Sequence, residues 1–346
     1  MNKNKKTIKI NFKYFPAMFD PENNLFTNCL RKNYKVIISD KPDYFFYSVY
    51  PEIIRKREIY KEGDFIRKIS PRLYLFFRKL YVKLVSSRNS KMEIPKGNFI
   101  TIFYGTEKTK PNMDRCDWAF SIFPEEEINN PRHLEILNHL INDFSFDKKI
   151  KLPWKRHLDF EKVKKEKTKF CNFIYSQEIP FRNKFFKQLN KYKKIDAPGR
   201  CMTNMKPITC KNPRGSRLSK NWAIDKLEFI KPYKFTIAFE NTIESGHTTE
   251  KLIHPLLVNS IPIYMGNSLV SNYFNTRCFI NYHDFNNMKE FIKHIIKVDN
   301  DDKLYRKYLE QPIFNTRKQY NFHNPKRIID RLDEVIKSKS KNNKGL

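Results

Sequence analysis

The 346-residue chain has no CxxC pair and no histidine set beside a cysteine at zinc-ligand spacing. Cys29, Cys116, Cys171, Cys201, Cys210 and Cys278 are scattered, which argues against a zinc module or a disulfide scaffold and predicts free thiols in a reducing compartment. Long apolar runs are missing too: none approaches the ~18 residues that a membrane-spanning helix needs. The basic start MNKNKKT leads into no apolar stretch of signal-peptide type, so no secretory leader is expected. There is no internal repeat, and no RNP, KH or zinc pattern marks a nucleic-acid module. Carboxylates are few beside the cations, 37 against 68, and the formal charge is +31.

That charge admits three partners: a nucleic-acid backbone, an anionic membrane leaflet, or a phosphorylated small molecule. It also admits a plainer account, in which lysine is abundant everywhere without local purpose, and the spread of lysines along the chain fits this. Apolar residues at 40% and aromatics at 15% supply material for real cores, and the length suffices for two ordinary domains. The ends, MNKNKKT and IKSKSKNNKGL, carry charge without periodicity and read as solvated tails. LYLFFRKLYVKLV (73–85) interleaves Arg78, Lys79 and Lys83 with apolar residues, and reads as a helix packed on its own domain or lying on an anionic bilayer.

TIKINFKYF, YKVIISD (34–40), DYFFYSVY (43–50), NFITIFYG (98–105) and CDWAFSIF (116–123) read as strands with helical segments between them. The stretch from 148 to 169 is dense in lysine and poor in apolar runs, as a linker would be. A second series follows: strand KFCNFIYS (169–176), helix FRNKFFKQLNKY (181–192), strand KFTIAFEN (234–241), helix TTEKLIHPLLV (248–258), strand SIPIYMG (260–266), and helices MKEFIKHIIKV (288–298) and LYRKYLEQ (304–311). Alternation of this kind predicts parallel, layered α/β sheets, with ligands beyond the carboxyl ends of the strands. The boundaries expected are a first α/β lobe over 1–150, a basic linker over 151–168, a second lobe over 169–312, and a C-terminal helix with a basic tail over 313–346.

FENTIESGHTTEKL (239–252) stands between two apolar runs and gathers Glu240, Glu244, His247, Glu250 and Lys251. A threonine at 248 or 249 suits a helix N-cap, and Glu250 complements the helix dipole. Lys251 does not, because a cation at a helix N-terminus is disfavoured unless an anion sits there with it. Free N–H groups beside a lysine suit phosphate, whereas an ordinary solvated first turn would explain the same residues without a ligand.

YKFTIAFENTIESGHTTEKLIHPLLVNSIPIYMGN (233–267) resembles the α1,3/α1,4-fucosyltransferases of glycosyltransferase family 10, sharing the FEN, TEK and IPIY-x-G blocks at their spacing. FIYSQEIPFRNKFF, IDAPGRCMTNM (195–205) and GTEKTKPNMDRCDWAFS (105–121) resemble further family elements, so the likeness runs in patches from about residue 98 to about 312. It implies an α/β fold of GT-B type, two Rossmann-like lobes with an interdomain cleft: an acceptor-side lobe first and a GDP-sugar-binding lobe second. It implies transfer of fucose from GDP-fucose, with inversion, to the 3-OH or 4-OH of an acceptor oligosaccharide or glycolipid, such as an N-acetyllactosamine-type glycan of a surface polysaccharide or lipopolysaccharide. Arg182 and Lys251 fall on the phosphate-binding positions, Glu107 on that of the catalytic base, and Glu250 on that of the donor-contacting glutamate. Glu240 and Asn241 fall in FEN, where they orient the donor loop, and Asn204 falls where it supports the donor site. His247 replaces the family's usual tyrosine, which leaves donor affinity and the donor sugar open, and Thr106 replaces the glycine before the base. No divalent metal or other cofactor is expected to be essential. The one run like a metal-binding D-x-D, VDNDDKL (298–304), reads as helix capping. The expected setting is cytoplasmic, peripheral at the inner face of an anionic membrane, with no nucleic-acid partner.

Overall fold

The computed structural model describes residues 5–15, 19–49, 94, 96–105, 109–137, 152–154, 156, 158–208, 222–243 and 245–342. The apolar segment 73–85 lies outside them. The chain divides into two compact units, Met1–Ser121 with Ile128–Leu134 and Ile329–Leu346, and Ile122–Glu127 with Glu135–Ile328.

The first unit is built on a six-stranded sheet of order β2-β1-β3-β4-β5-β6. Its strands are β1 (Thr7–Lys13), β2 (Lys35–Ile38), β3 (Tyr44–Tyr47), β4 (Ile100–Gly105), β5 (Trp118–Ser121) and β6 (His133–Glu135). The ladders joining β1 to β2 and β3, β3 to β4, and β4 to β5 are parallel. In β1 the alternation puts Ile8 and Ile10 inside and Thr7 and Lys9 outside, whereas β3, YFFY, is buried throughout, as a central parallel strand should be. Helix α1 (Leu25–Asn33) is started by Asn24, whose side chain accepts from the N–H groups of Phe26 and Thr27. A short helix α2 (Glu125–Ile128) precedes β6.

The second unit holds a five-stranded parallel sheet of order β11-β10-β9-β7-β8. Its elements in chain order are α3 (Phe160–Glu166), β7 (Lys169–Asn172), α4 (Pro180–Leu189), β8 (Ile195–Asp196), α5 (Trp222–Ile230), β9 (Tyr233–Phe239), α6 (Glu250–Leu257), β10 (Ile261–Met265) and β11 (Ile280–Asn281). Helices α7 (Met288–Asn300), α8 (Asp302–Leu309) and α9 (Arg317–Phe322) follow, and α10 (Lys326–Asn342) ends the described chain. One core runs through the sheet and its helices, including Phe173, Phe185, Phe235, Phe239, Ile263 and Phe291.

Two sequence expectations are corrected here. The lysine-rich linker contains α3, capped by Asp159, with Phe160 and Val163 buried three residues apart. Lysines on its outer face hide that amphipathic turn from a reading based on composition. The end read as solvated from Ile336 is likewise helical to Asn342: Ile336 is buried, the Tyr44 hydroxyl donates to its carbonyl at 3.0 Å, and Lys339 reaches Asp43.

Candidate functional site

From β7 the chain passes through α4 to β8 on one side, then returns through α5 to β9 on the other side of β7. The order reverses between β7 and β9, and in open parallel sheets the crevice at such a reversal is where ligands bind. The two loops that leave this point, β7 to α4 and β9 to α6, carry most of the residues singled out from the sequence.

Arg182 sits in the first turn of α4, after Pro180, whose missing N–H is no loss at a helix start. Its side chain is folded inward and the residue is 1% exposed. The guanidinium lies 3.6 Å from the centre of the Tyr175 ring, Nη1 donates to Asn241 Oδ1 at 3.0 Å, and Nη2 donates to the Gln177 carbonyl at 2.5 Å. Nε is buried without a hydrogen-bond partner, and no carboxylate among the described residues forms an ion pair with this cation. Burial lowers its pKa, against the pull of neighbours that include Glu240. A buried, uncompensated guanidinium is costly, and an anion would remove that cost.

Glu240, at the carboxyl end of β9, organises the other loop. It is 2% exposed, and its N–H is held by the Met265 carbonyl at 2.7 Å. Its carboxylate accepts from the Thr249 N–H at 2.8 Å, from the Thr249 hydroxyl, and from Lys251 Nζ at 3.2 Å. Thr249 is also the N-cap of α6, accepting from the Lys251 N–H. One carboxylate therefore fixes both the first turn of the helix and the side chain that sets its charge. Glu250 lies 3.8 Å from Lys251 and 3.9 Å from the buried Lys226 of α5. Burial raises the Glu250 pKa, but Lys251, Lys226 and His254 outweigh it and hold the carboxyl well below the usual range. Desolvation pulls the Lys251 pKa down; Glu240 and Glu250 overcome it and leave it raised, while Arg182 works against them. Arg182 is thus close enough to Lys251 for the two cations to repel, with Glu240 acting on both.

Lys251 is committed to two carboxylates, with 14% of its side chain exposed. Charge favours Glu240 as its partner because that carboxylate has no water contact and no other cation within reach of an ion pair among the described residues.

The turn between these residues depends on Gly246, at φ +75°, where an added Cβ would lie 1.7 Å from the Ile122 carbonyl oxygen. Only glycine combines that backbone with that approach. The Gly246 N–H donates to Asn267 Oδ1 at 3.1 Å, and Asn267 Nδ2 donates to the buried Thr248 hydroxyl at 3.1 Å, so the end of β10 holds the loop. Next to Gly246, the Nδ1 atom of His247 is buried and unpartnered.

Asn204 serves the fold locally. Its Nδ2 donates to the Ile195 carbonyl and its Oδ1 accepts from the Ala197 N–H, each at 2.8 Å, which closes the loop after β8. Glu107 lies outside the described residues; β4 ends two residues before it, at Gly105. The residues missed from the sequence are Tyr175, Lys226 and Asn267; of the two threonines offered as N-cap, Thr249 takes that place. Lys226 had a signal, a lone cation among apolar residues at helical spacing in WAIDKLEFI, whereas Tyr175 looks like any strand aromatic. Asp301 of VDNDDKL caps α8 by accepting the Leu304 N–H at 3.0 Å, and among the described residues no cluster of histidine, cysteine or carboxylate side chains could hold a metal. A surface groove of about 540 Å³ runs along the exposed lysines Lys184 and Lys187 of α4 and Lys191 just after it, and includes none of these site residues.

The family model for the C-terminal part of glycosyltransferase family 10 (fucosyltransferase) matches residues 154–341. R654 of Acanthamoeba polyphaga mimivirus, a candidate fucosyltransferase, is 27% identical over 314 residues, covering 76% of this chain and 50% of that protein. The α-(1,3)-fucosyltransferase FucT of Helicobacter pylori is 29% identical over 259 residues, covering 68% of this chain and 49% of that protein. The chain thus spans about half the length of these curated relatives. Crystal structures of an α1,3-fucosyltransferase with GDP and with GDP-fucose superpose with TM-scores of 0.67 at 21% identity, over 97% of this chain and 92% of theirs, which gives the α/β fold as GT-B type. With the family model covering the sheet, both loops and the helices that carry this site, the chain belongs to glycosyltransferase family 10, the fucosyltransferases.

Proposed function

We propose that the chain transfers fucose from GDP-fucose to a hydroxyl of an acceptor oligosaccharide or glycolipid, with inversion. The observation that carries this reading is Arg182: a buried cation without a carboxylate partner among the described residues, at the sheet reversal, beside the N-terminus of α6 and Lys251. Both cations suit a diphosphate, whose charge grows as the bond to the sugar C1 breaks. Arg182 takes one phosphate. Lys251 is shared between Glu240 and the other phosphate. His247 Nδ1, buried and unpartnered, donates to the same anion. Glu250, held ionised by its lysines, accepts from donor hydroxyls. Glu107 is the base that takes the proton of the attacking 3-OH or 4-OH. Fixed cations stand where other transferases use a divalent ion, so no metal is essential. The reaction is cytoplasmic, with a surface glycan or glycolipid as acceptor at an anionic membrane face; the buried free thiols Cys29, Cys116, Cys171, Cys201 and Cys278 suit a reducing compartment.

The test is turnover of labelled GDP-fucose on an array of N-acetyllactosamine-type acceptors, with product linkage read for regiochemistry. Arg182→Ala and Lys251→Ala should each cost about 10²–10³ in kcat/KM, as loss of a fixed transition-state charge does. Glu107→Ala should lose turnover yet keep GDP affinity, and a chelator should leave the parent rate unchanged. Retention of near-parental turnover by Glu107→Ala would remove it as base. If GDP-fucose is inert and another GDP-sugar is consumed, the donor assignment fails while the site assignment stands.

A further inference from the structure

The Arg182 side chain does not hold itself. Tyr175, in the loop after β7, is buried, and its ring centre lies 3.6 Å from the guanidinium carbon. Its hydroxyl accepts the Phe239 N–H at 2.7 Å and shares its proton between the Ile237 and Phe239 carbonyls at 2.9 and 3.0 Å. Phe239 is the last residue of β9, immediately before Glu240 and Asn241. The Tyr175 carbonyl accepts from the Cys201 N–H at 2.9 Å, and Gly199 leaves no room for a Cβ, which would stand 2.2 Å from that same oxygen. One residue therefore joins the exits of β7, β8 and β9 and supplies the surface on which the cation rests.

We propose that Tyr175 is a positioning residue for the donor diphosphate, acting through Arg182; the inference rests on the function proposed above. The ring offers its negative face to a desolvated guanidinium, and it fixes the plane in which Nη1 and Nη2 reach Asn241 and Gln177. The guanidinium is thereby held in one orientation before any anion arrives, so the cost of ordering the arginine is met in the fold.

The experiment measures GDP affinity by ligand-observed NMR, which reads millimolar binding, together with donor KM and kcat. The variants are Tyr175→Phe, Tyr175→Leu, and each of these in an Arg182→Gln background, with thermal unfolding as the check on folding. Tyr175→Phe keeps the ring, so it should lower stability through the unpaired Phe239 N–H while leaving GDP affinity within about threefold of the parent. Tyr175→Leu should weaken GDP binding about tenfold and raise donor KM alike with kcat little changed, the scale of a desolvated cation–π contact. In the Arg182→Gln background the tyrosine change should have no further effect on affinity. Equal losses with and without Arg182, or equal losses for Phe and Leu, would overturn the proposal by making Tyr175 a packing residue alone. A parent protein that binds no GDP would overturn the functional reading and this inference with it, whereas a parent that binds GDP and a Leu variant that binds equally well would overturn this inference alone.

Discussion

Glu240 places its carboxyl group where almost no water reaches, and its two oxygens must find every partner inside the protein. Thr249 and Lys251 supply them, which makes Glu240 a helix cap at one remove and the internal counterion of a cation otherwise suited to phosphate. Replacing it with glutamine keeps the shape and removes the charge, leaving Lys251 with only the more distant Glu250. Glu240→Gln should therefore lower stability by about 3 kcal/mol, the scale for stripping one member of a buried pair, read as a lower urea midpoint at unchanged slope. GDP should partly restore the midpoint by supplying the missing negative charge. At this scale the sequence showed the residue types but not their pairing. FENTIESGHTTEKL contains Glu240, Glu244 and Glu250, and nothing in their spacing says which of them faces Lys251 or that Arg182 has no carboxylate of its own.

Elements with a strong pattern are where the sequence placed them. β9, β10, α4, α6 and α7 coincide with their apolar runs to within a few residues. Elements whose signal is short or masked by charge were not legible: α3 under its lysines, α5 after a stretch rich in cations, and β6, only three residues long. β6 nevertheless carries a consequence for pH. Burial raises the Glu135 pKa to about 7, against the Tyr273 hydroxyl and Arg327, which lower it. The folded state thus binds a proton more readily than the unfolded one between pH 4.5 and about 7. The stability this contributes is complete at the acid side and is lost as pH rises through that window. His133, two residues away, is lowered to about 4 by burial and by Arg331, so its contribution grows as pH rises from 4 to 6.5 and opposes Glu135. Glu135→Gln isolates the first effect. The stability advantage of the parent over this variant should shrink by ~3 kcal/mol between acid pH and about pH 8, measured as paired urea midpoints.

For the whole molecule, the chain returns at its end to where it began. The last helix packs in the first unit, where Arg331 donates to the Pro131 and His133 carbonyls and Leu332 is 1% exposed. Leu332→Ala should cost about 3 kcal/mol in urea unfolding by opening a cavity. The sequence by itself determined the α/β class, through its alternation of apolar runs, and the family, through the 233–267 block with its phosphate-suited loop. Both are encoded in residues close together in the chain. Only the tertiary structure decided that β7 and β9 lie side by side, because β8 takes the far edge. That adjacency brings Arg182 to Asn241 across a sequence separation of 59 residues. The reason is physical: the energy of a buried charge depends on which partners surround it in space, and a linear pattern carries no term for a neighbour that folding alone supplies.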